Sequence, residues 1–179
     1  MGKGFFKVPV AINEPVKSYK PGSPERKEVL ATYKAMLKET LEVPIYINGQ
    51  FIASGNTQTM RPPHDHQHIL GSYHTAEKTH VESAIATALE ARKSWSQLPW
   101  EQRAGIFLRA AELIAGPYRA KITASTMIGQ SNNVFQAEIA AAGAFVDCLI
   151  VKLKFLIVMS KDQHQSHNAA WNRLESHPW

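Results

Sequence analysis

Residues 116–142 read GPYRAKITASTMIGQSNNVFQAEIAAA, and this stretch decides how the chain folds. Gly116-Pro117 stops any preceding helix, because glycine commonly ends a helix and proline cannot continue one. The next residues predict a helix that ends at Gly129, followed by a turn. A further helix is expected from Asn133 to at least Cys148. Its many alanines allow close packing, so we expect this helix to lie against a partner rather than in water.

Glu138 lies on this alanine-rich helix. A carboxylate on a helix most often faces water, because a buried charge requires a partner. We therefore interpret Glu138 as a helix-face carboxylate. The alternative is that Glu138 is buried against an arginine or a helix N-terminus.

The segment SPERKEVLATYKAMLKETLE predicts an amphipathic helix near the start of the chain. Ser23 can cap its first turn, Pro24 suits the first helical position, and Glu25 favours the positive end of the helix. The predicted apolar face contains Val29, Leu30, Tyr33, Leu37 and Leu41.

Two more helices are predicted before residue 116. In THVESAIATALEARKSW, Thr79 and Glu82 have the spacing of a capping box. Pro99 precedes the second helix, WEQRAGIFLRAAELIAG, and both segments carry one apolar stripe at helical spacing. The two stripes are Val81, Ala84, Ile85, Ala88 and Ala91, and then Ile106, Phe107, Ala110, Leu113 and Ile114.

The segment VPIYINGQFIASG predicts an antiparallel β-hairpin. Asn48-Gly49 stands between two β-forming runs, and a type I′ turn requires positive φ at both central residues, which Asn and Gly tolerate. The segments TQTMRPP and HILGSYH predict two further short strands, with a break at Pro62-Pro63 between them.

Length and composition indicate one globular unit, or one unit with a tail. The chain has 179 residues, of which 44% are apolar and 20% charged, so a core can form. The net charge of +5 comes from scattered Lys and Arg, so we expect no nucleic-acid groove. A single cysteine excludes an internal disulfide, and the first residues show neither a secretory signal nor an evident transit peptide.

The stretch FVDCLIVKLKFLIVM at 145–159 is the most apolar run of the sequence. A membrane span needs roughly 20 mainly apolar residues, and each charge at mid-bilayer costs roughly 2.5–3.5 kcal/mol. This shorter run carries Asp147, Lys152 and Lys154, so a membrane span is disfavoured. Cys148 lies late in the predicted helix among apolar neighbours, where nothing stabilises a thiolate. We therefore expect Cys148 to be a small packing residue and not a nucleophile.

The segment PPHDHQH places His64, His66 and His68 at alternate positions. On a strand they would share one face and could hold a metal, but the spacing is not that of a zinc finger. We expect a solvated loop without metal there; His164 and His167 in the polar tail are weaker candidates. Neither G-x-x-x-x-G-K-[ST] nor G-x-G-x-x-G occurs, so the sequence lacks a glycine-rich cradle for the phosphates of a nucleotide.

Several motifs share the order and spacing of one enzyme family. From about residue 8 to 147 the chain resembles the start of the NAD-dependent aldehyde dehydrogenases, and within them the Δ1-pyrroline-5-carboxylate (glutamate-γ-semialdehyde) dehydrogenases. GPYRAKITASTMIGQ followed by QAEI is distinctive of that subfamily. The other matching motifs are VPVAINEPV, GSPER, VPIYINGQ, RPPHDHQHILGSYHTAEK, AIATALEARKSW and VFQAEIAAA.

The resemblance implies an α/β enzyme that oxidises glutamate semialdehyde to glutamate with NAD in proline breakdown, in the mitochondrial matrix of eukaryotes. It also implies a cysteine nucleophile, an oxyanion hole and a glutamate-activated water. The family's GQKCSA-type and PFN-type motifs and its general-base glutamate do not occur in this sequence. We therefore expect a mostly helical N-terminal piece with a small antiparallel hairpin and no complete Rossmann sheet. It would contain no catalytic, cofactor-binding or metal-binding residue and could not bind NAD alone.

The sequence departs from the family pattern at two places. Subfamily members commonly carry an acid shortly after QAEI, near the substrate entrance, and Ala144 stands at that position here. After Asp147 the sequence becomes CLIVKLKFLIVMSKDQHQSH, which does not align with the family. We therefore divide the chain into residues 1–147, the family-like arm, hairpin and first helices, and residues 148–179, a divergent tail without family match.

The apolar stripes of these helices need a neighbouring sheet for burial. Each large side chain left exposed forgoes roughly 1.5–3 kcal/mol, so we expect a weakly stable assembly with an exposed apolar patch. We expect the chain to be inactive alone. The alternative function is that of a non-catalytic short isoform that binds full-length dehydrogenase subunits or associates with itself.

Overall fold

The computed structural model describes residues 12–161, without the side chains of residues 154 and 156–161. An extended arm leads into helix α1. The remaining elements are further helices and two short sheets. In chain order they are α1 (Pro24–Lys38), β1 (Leu41–Val43), β2 (Ile45–Ile47), β3 (Gln50–Ile52), β4 (Thr57–Met60), β5 (Gly71–His74), α2 (Lys78–Gln97), α3 (Trp100–Ala115), α4 (Arg119–Gln130), α5 (Val134–Ala137), a π-helical segment (Glu138–Gly143) and α6 (Ala144–Lys161).

Helix α1 begins as the sequence predicts. The Ser23 hydroxyl accepts a hydrogen bond from the Arg26 N–H at 3.4 Å, and Pro24 and Glu25 occupy the first turn. The helix ends at Lys38, however, so Leu41 does not belong to its apolar face. Leu41 instead begins strand β1, because its N–H donates to the Leu70 carbonyl and the residue pairs with Gly71.

The larger sheet has the strand order β1-β5-β4. Strand β1 is parallel to β5, and β4 is antiparallel to it, with Met60 opposite Gly71. The two strands predicted from TQTM and HILGSYH are thus confirmed. The β1–β5 pair was not predicted, since a three-residue parallel strand has no local sequence signal.

The predicted hairpin is confirmed as a separate two-stranded sheet. Strands β2 and β3 pair with Ile47 opposite Gln50, so Asn48-Gly49 forms a two-residue turn. Both turn residues have positive φ, 53° for Asn48 and 76° for Gly49. The rings of Tyr46 and Phe51 lie 5.0 Å apart across the strands.

Helix α2 starts two residues earlier than the proposed capping box requires. Its N-cap is Glu77, whose N–H donates to the Nδ1 of His80 at 3.1 Å, so the prediction that Thr79 and Glu82 form the box is wrong. Glu82 is instead 3.7 Å from Lys78 on the exposed surface. Helix α3 follows Pro99 and ends at Gly116, as predicted.

Helices α4 to α6 form the best-packed part of the described chain. Helix α4 packs on α1, and α6 packs on α3. Tyr19, Val29 and Ala124 form a buried cluster, and Val146 and Leu153 of α6 are also buried. The predicted helix from Asn133 is confirmed, with Asn133 as its cap and the π-helical segment as an interruption.

Helix α2 is much less buried than helices α4 to α6. None of its 20 residues is buried, and its contacts with neighbouring elements are to β2. Val81, Ile85 and Leu89 are each at least half exposed, and Tyr46 and Phe51 of the hairpin are more so. Together these five residues are called the α2–hairpin face. A groove of about 440 Å³ runs between the hairpin and α2.

One stretch of the described residues, Val134–Leu153, is long and apolar enough to cross a membrane, judged by length and composition only. Its mean hydropathy is 1.8, and 28% of it is buried within the protein. The core helix of a soluble protein passes the same test. Within this stretch Glu138 is fully buried and its carboxylate accepts a hydrogen bond from Arg119.

The position of Gly71 in strand β5 has no room for a side chain. Its φ is 145°, and a Cβ there would lie 1.9 Å from the Leu41 carbonyl oxygen. We expect Gly71→Ala to lower the free energy of unfolding by at least about 2 kcal/mol. Gly105→Ala is the matched control, because a Cβ at Gly105 in α3 meets nothing within 4 Å. That control is expected to be neutral or stabilising in urea unfolding, and equal losses for both variants would contradict the close approach.

Candidate functional site

The most concentrated chemistry in the described residues is a buried ionic cluster built on Arg119 and Glu138. Arg119 is the first residue of α4, and Glu138 is the first residue of the π-helical segment. Arg119 is 3% exposed and Glu138 is 0% exposed. Charges this deep are retained only with complete hydrogen bonding, so their partners define the site.

The Arg119 guanidinium makes ion pairs with two carboxylates. Its Nε donates to Glu138 Oε1 at 3.0 Å, and its Nη2 donates to the same oxygen. Its Nη1 donates to Glu14, and its Nη2 also donates to the Pro15 carbonyl at 2.7 Å. The planar fork of arginine suits such multiple contacts.

Glu138 accepts from the arm as well as from Arg119. Its Oε2 accepts from the Tyr19 hydroxyl at 2.7 Å and from the Thr123 hydroxyl at 3.4 Å. Its Oε1 accepts from the Lys17 N–H at 3.1 Å. The cluster therefore fastens the extended arm to α4 and the π-helical segment.

Asp147 of α6 completes the attachment of the arm. Its Oδ1 accepts from the Glu14 N–H at 2.7 Å. The described arm thus reaches the helices through three charged side chains, Arg119, Glu138 and Asp147. Because the oxygens of Glu138 are already occupied by these donors, the cluster is suited to holding structure together rather than to activating a substrate.

The electrostatics of the cluster favour its charged state. Burial raises the pKa of Glu138, but hydrogen bonds from Arg119 and Tyr19 outweigh burial and hold the pKa below its usual range. Burial opposes the charge of Arg119, whereas the bonds to Glu138 and Glu14 raise its pKa above the ordinary value. Burial and the hydrogen bond to Glu138 raise the pKa of Tyr19 to about 12.

The interpretation of Glu138 as a helix-face carboxylate is therefore wrong. The alternative stated with it, a buried partner for an arginine, is what the structure shows. Arg119, Glu14 and Tyr19 were not singled out as functional residues. Their signal in the sequence is weak, since pairing across 119 and 105 residues leaves no local spacing to detect.

Cys148 is exposed in the structure, so its prediction as a buried packing residue is wrong. The reason is its position on α6: Val146 faces the core, and Cys148 two residues later faces away from it. The thiol lies well after the start of the continuous helix at Val134, so no helix N-terminus faces it.

The three histidines of PPHDHQH lie in turns rather than on a strand, so they do not share one face. His64 Nδ1 is 2.9 Å from the Ser131 hydroxyl, and its Nε2 is 3.4 Å from the Tyr33 hydroxyl. Within residues 12–161 no group of three or more His, Cys, Asp or Glu side chains is placed to hold a metal ion. His164 and His167 lie outside the described residues.

Comparison with known proteins identifies the family. The model of the aldehyde dehydrogenase family matches residues 51–178. The chain belongs to the aldehyde dehydrogenase family. The matched range extends past residue 147, the predicted boundary between the family-like part and the tail at 148–179. Helix α6 continues to Lys161 and buries Leu153.

Within this family the chain is similar to Δ1-pyrroline-5-carboxylate dehydrogenases, as predicted, and three relatives show this. The enzyme of Agaricus bisporus is 41% identical over 175 residues, which are 97% of this chain and 32% of that protein. A probable enzyme of Schizosaccharomyces pombe is 38% identical over 97% of this chain and 32% of its own length. A mitochondrial enzyme of Emericella nidulans is 38% identical over 97% of this chain and 30% of its own length.

Solved structures show the same fold. The Mycobacterium tuberculosis Δ-pyrroline-5-carboxylate dehydrogenase superposes with a TM-score of 0.94 at 35% identity, covering 99% of this chain and 33% of that one. The same enzyme bound with NAD gives a TM-score of 0.91 at 35% identity over 96% and 32% of the two chains. The aldehyde dehydrogenase-like fold of a partial piece is thereby confirmed. The chain spans about a third of the length of the relatives it matches.

Removing the positive charge of the cluster is expected to destabilise the chain strongly. Arg119→Met leaves Glu138 buried without its ion pair, which typically costs about 3–5 kcal/mol of unfolding free energy. The matched control is Arg109→Met, since Arg109 is exposed and pairs at 3.0 Å with an exposed Glu112. The control is expected to change stability by less than about 0.5 kcal/mol. Similar losses in chemical denaturation would contradict a special role for the buried pair.

The cluster also predicts a stability maximum between acid and strongly alkaline pH. The depressed pKa of Glu138 contributes stability above the unfolded value of 4.5, and this stability is lost as pH falls through the lower folded pKa. The raised pKa of Tyr19 contributes stability that is complete below pH 10 and is lost as pH rises towards about 12. Thermal unfolding across pH should show the alkaline loss flattened in Tyr19→Phe and the acid loss flattened in Glu138→Gln. Unchanged profiles in both variants would refute this assignment.

Proposed function

We propose that the chain is the N-terminal part of a Δ1-pyrroline-5-carboxylate dehydrogenase, which oxidises glutamate-γ-semialdehyde to glutamate with NAD in proline catabolism. The observation that carries this proposal is 41% identity to the A. bisporus enzyme over 97% of this chain. The structural match to the M. tuberculosis enzyme supports it independently. The mitochondrial name of the E. nidulans relative favours the mitochondrial matrix as the compartment.

We infer that this chain is inactive alone. Oxidation of an aldehyde by this chemistry requires a reactive thiolate next to a bound dinucleotide. Cys148, the single cysteine of the sequence, is exposed on α6, and the sequence contains no glycine-rich phosphate motif that could hold a dinucleotide beside it.

The described residues do not fit the phosphates of NAD. A dinucleotide binds where a glycine-rich turn leads from a parallel strand into a helix N-terminus. Among the described strands, the parallel pair β1–β5 leads into α2, but Glu77 caps that helix. A carboxylate at this end repels a pyrophosphate, and the connection from His74 to Glu77 contains no glycine.

The activity proposal is tested with the purified 179-residue chain and glutamate semialdehyde. We expect no NADH formation above a reaction without protein, whereas the full-length A. bisporus enzyme in the same assay should produce NADH. NADH formation by the 179-residue chain would overturn its predicted inactivity. Saturable NAD binding to the chain would overturn the absence of a cofactor site, whatever the activity.

A second candidate function is favoured by the α2–hairpin face. A helix of 20 residues without a buried residue has an apolar face available for another protein. We propose that a chain of this length acts as a non-catalytic partner that binds full-length dehydrogenase subunits or another copy of itself through this face.

Ile85→Glu tests the α2–hairpin face because it places a charge in the middle of the apolar stripe. Ser83→Glu is the matched control, since Ser83 is exposed on the same helix and outside the stripe. Light scattering at rising concentration is expected to show association of the wild-type chain and of Ser83→Glu, and a lower associated fraction for Ile85→Glu. Equal association of all three chains would remove this face from consideration.

A further inference from the structure

The turn of the β2–β3 hairpin combines two features that matter for its chemistry. Asn48 is exposed, so its side-chain amide is accessible to water. Gly49 is exposed as well, and a Cβ at its position would meet no atom nearer than the Tyr46 hydroxyl at 4.0 Å. The chain after Asn48 therefore carries no side chain at the next residue and is open where a Cβ would stand.

We propose that Asn48 is a site of spontaneous deamidation and isoaspartate formation. The Gly49 nitrogen gives its proton to water, and its electron pair forms a bond to the Asn48 Cγ. The bond from Cγ to the amide nitrogen breaks, and ammonia leaves with a proton from water. Water then opens the resulting five-membered imide at either carbonyl, which returns a proton to the Gly49 nitrogen and leaves aspartate or isoaspartate. Water is the co-reactant, and nothing is oxidised or reduced.

The closed turn slows this reaction, because the left-handed conformation of Asn48, with φ of 53°, fixes the chain in the two-residue turn. Attack requires a change of ψ at Asn48 that turns the Gly49 nitrogen toward the side-chain Cγ of Asn48. The hairpin has only two strands of three residues each and belongs to a separate sheet. Two-stranded hairpins are marginal in water, so this element opens more readily than the packed helices.

Conversion to isoaspartate changes the hairpin permanently. It adds one carbon to the backbone between residues 48 and 49, so the two-residue turn no longer fits the pairing of Ile47 with Gln50. It also adds a carboxylate to a cavity of about 530 Å³ that Glu90 and Lys93 of α2 line as well. Since α2 contacts β2, the modification acts on the α2–hairpin face.

The test is timed incubation of the intact chain at neutral pH, followed by peptide mass spectrometry. We expect residue 48 to gain the mass that accompanies exchange of an amide NH₂ for OH, with an isoaspartate fraction. Asn56 is the control within the same molecule, because it is exposed and precedes Thr57 rather than glycine. Conversion at residue 48 while Asn56 stays intact supports the proposal; conversion of neither residue, or of both at one rate, overturns it.

The role of hairpin opening is tested with the free peptide of residues 43–54. If the hairpin is only marginally stable, the rate in the folded chain should lie within about tenfold of the peptide rate. A larger retardation would show that the folded hairpin does not open enough and would overturn this part. Asn48→Gln should abolish the mass change at residue 48 in both samples, and persistence of the change would assign it to another residue.

Discussion

The burial of Arg119 with Glu138 is the interaction on which the packing of the N-terminal arm depends. A buried ion pair is stable only when its remaining donors and acceptors also find partners. The arm supplies them, through the Lys17 N–H, the Pro15 carbonyl and the Tyr19 hydroxyl. The ion pair therefore holds the arm, and the hydrogen bonds from the arm offset the cost of burying the ion pair. This mutual requirement explains why an extended segment with few apolar contacts has one defined path.

The π-helical segment allows two acids of one helix to contact the same arm. Asp147 is nine residues after Glu138, which is two and a half turns of a regular α-helix at about 3.6 residues per turn. Without interruption the two side chains would point in opposite directions. The wider turns at 138–143 rotate the later residues back, and Asp147 reaches the Glu14 N–H. The small residues Ala140 to Gly143 suit such a turn, since they bring no bulky side chain into it.

Elements with local signals could be predicted from the sequence, and elements set by distant partners could not. Asn48-Gly49 fixes its own turn, and Ser23-Pro24 fixes the start of α1. Strand β1 exists because Leu41 finds Gly71 across the chain, which no local pattern reveals. The same holds for the site: the sequence places Glu138 on a helix, but its burial also depends on Tyr19 and Lys17, more than a hundred positions away. An apolar run does not say which of its residues face the core, and Cys148 faces away from it.

Burial is distributed unevenly among the elements of the described chain. Helix α4 and the π-helical segment bury charged groups completely, whereas α2, though longer, buries no residue. In a chain whose folding was complete by itself, the apolar stripe of α2 would be among the first surfaces covered, because its exposure forgoes roughly 1.5–3 kcal/mol for each large side chain. The relatives are about three times as long as this chain, and the M. tuberculosis enzyme has the same fold over the part that matches. The cluster at Arg119 therefore accounts for the order of the arm, α4 and the π-helical segment, whereas the described residues give the apolar stripe of α2 no comparable cover.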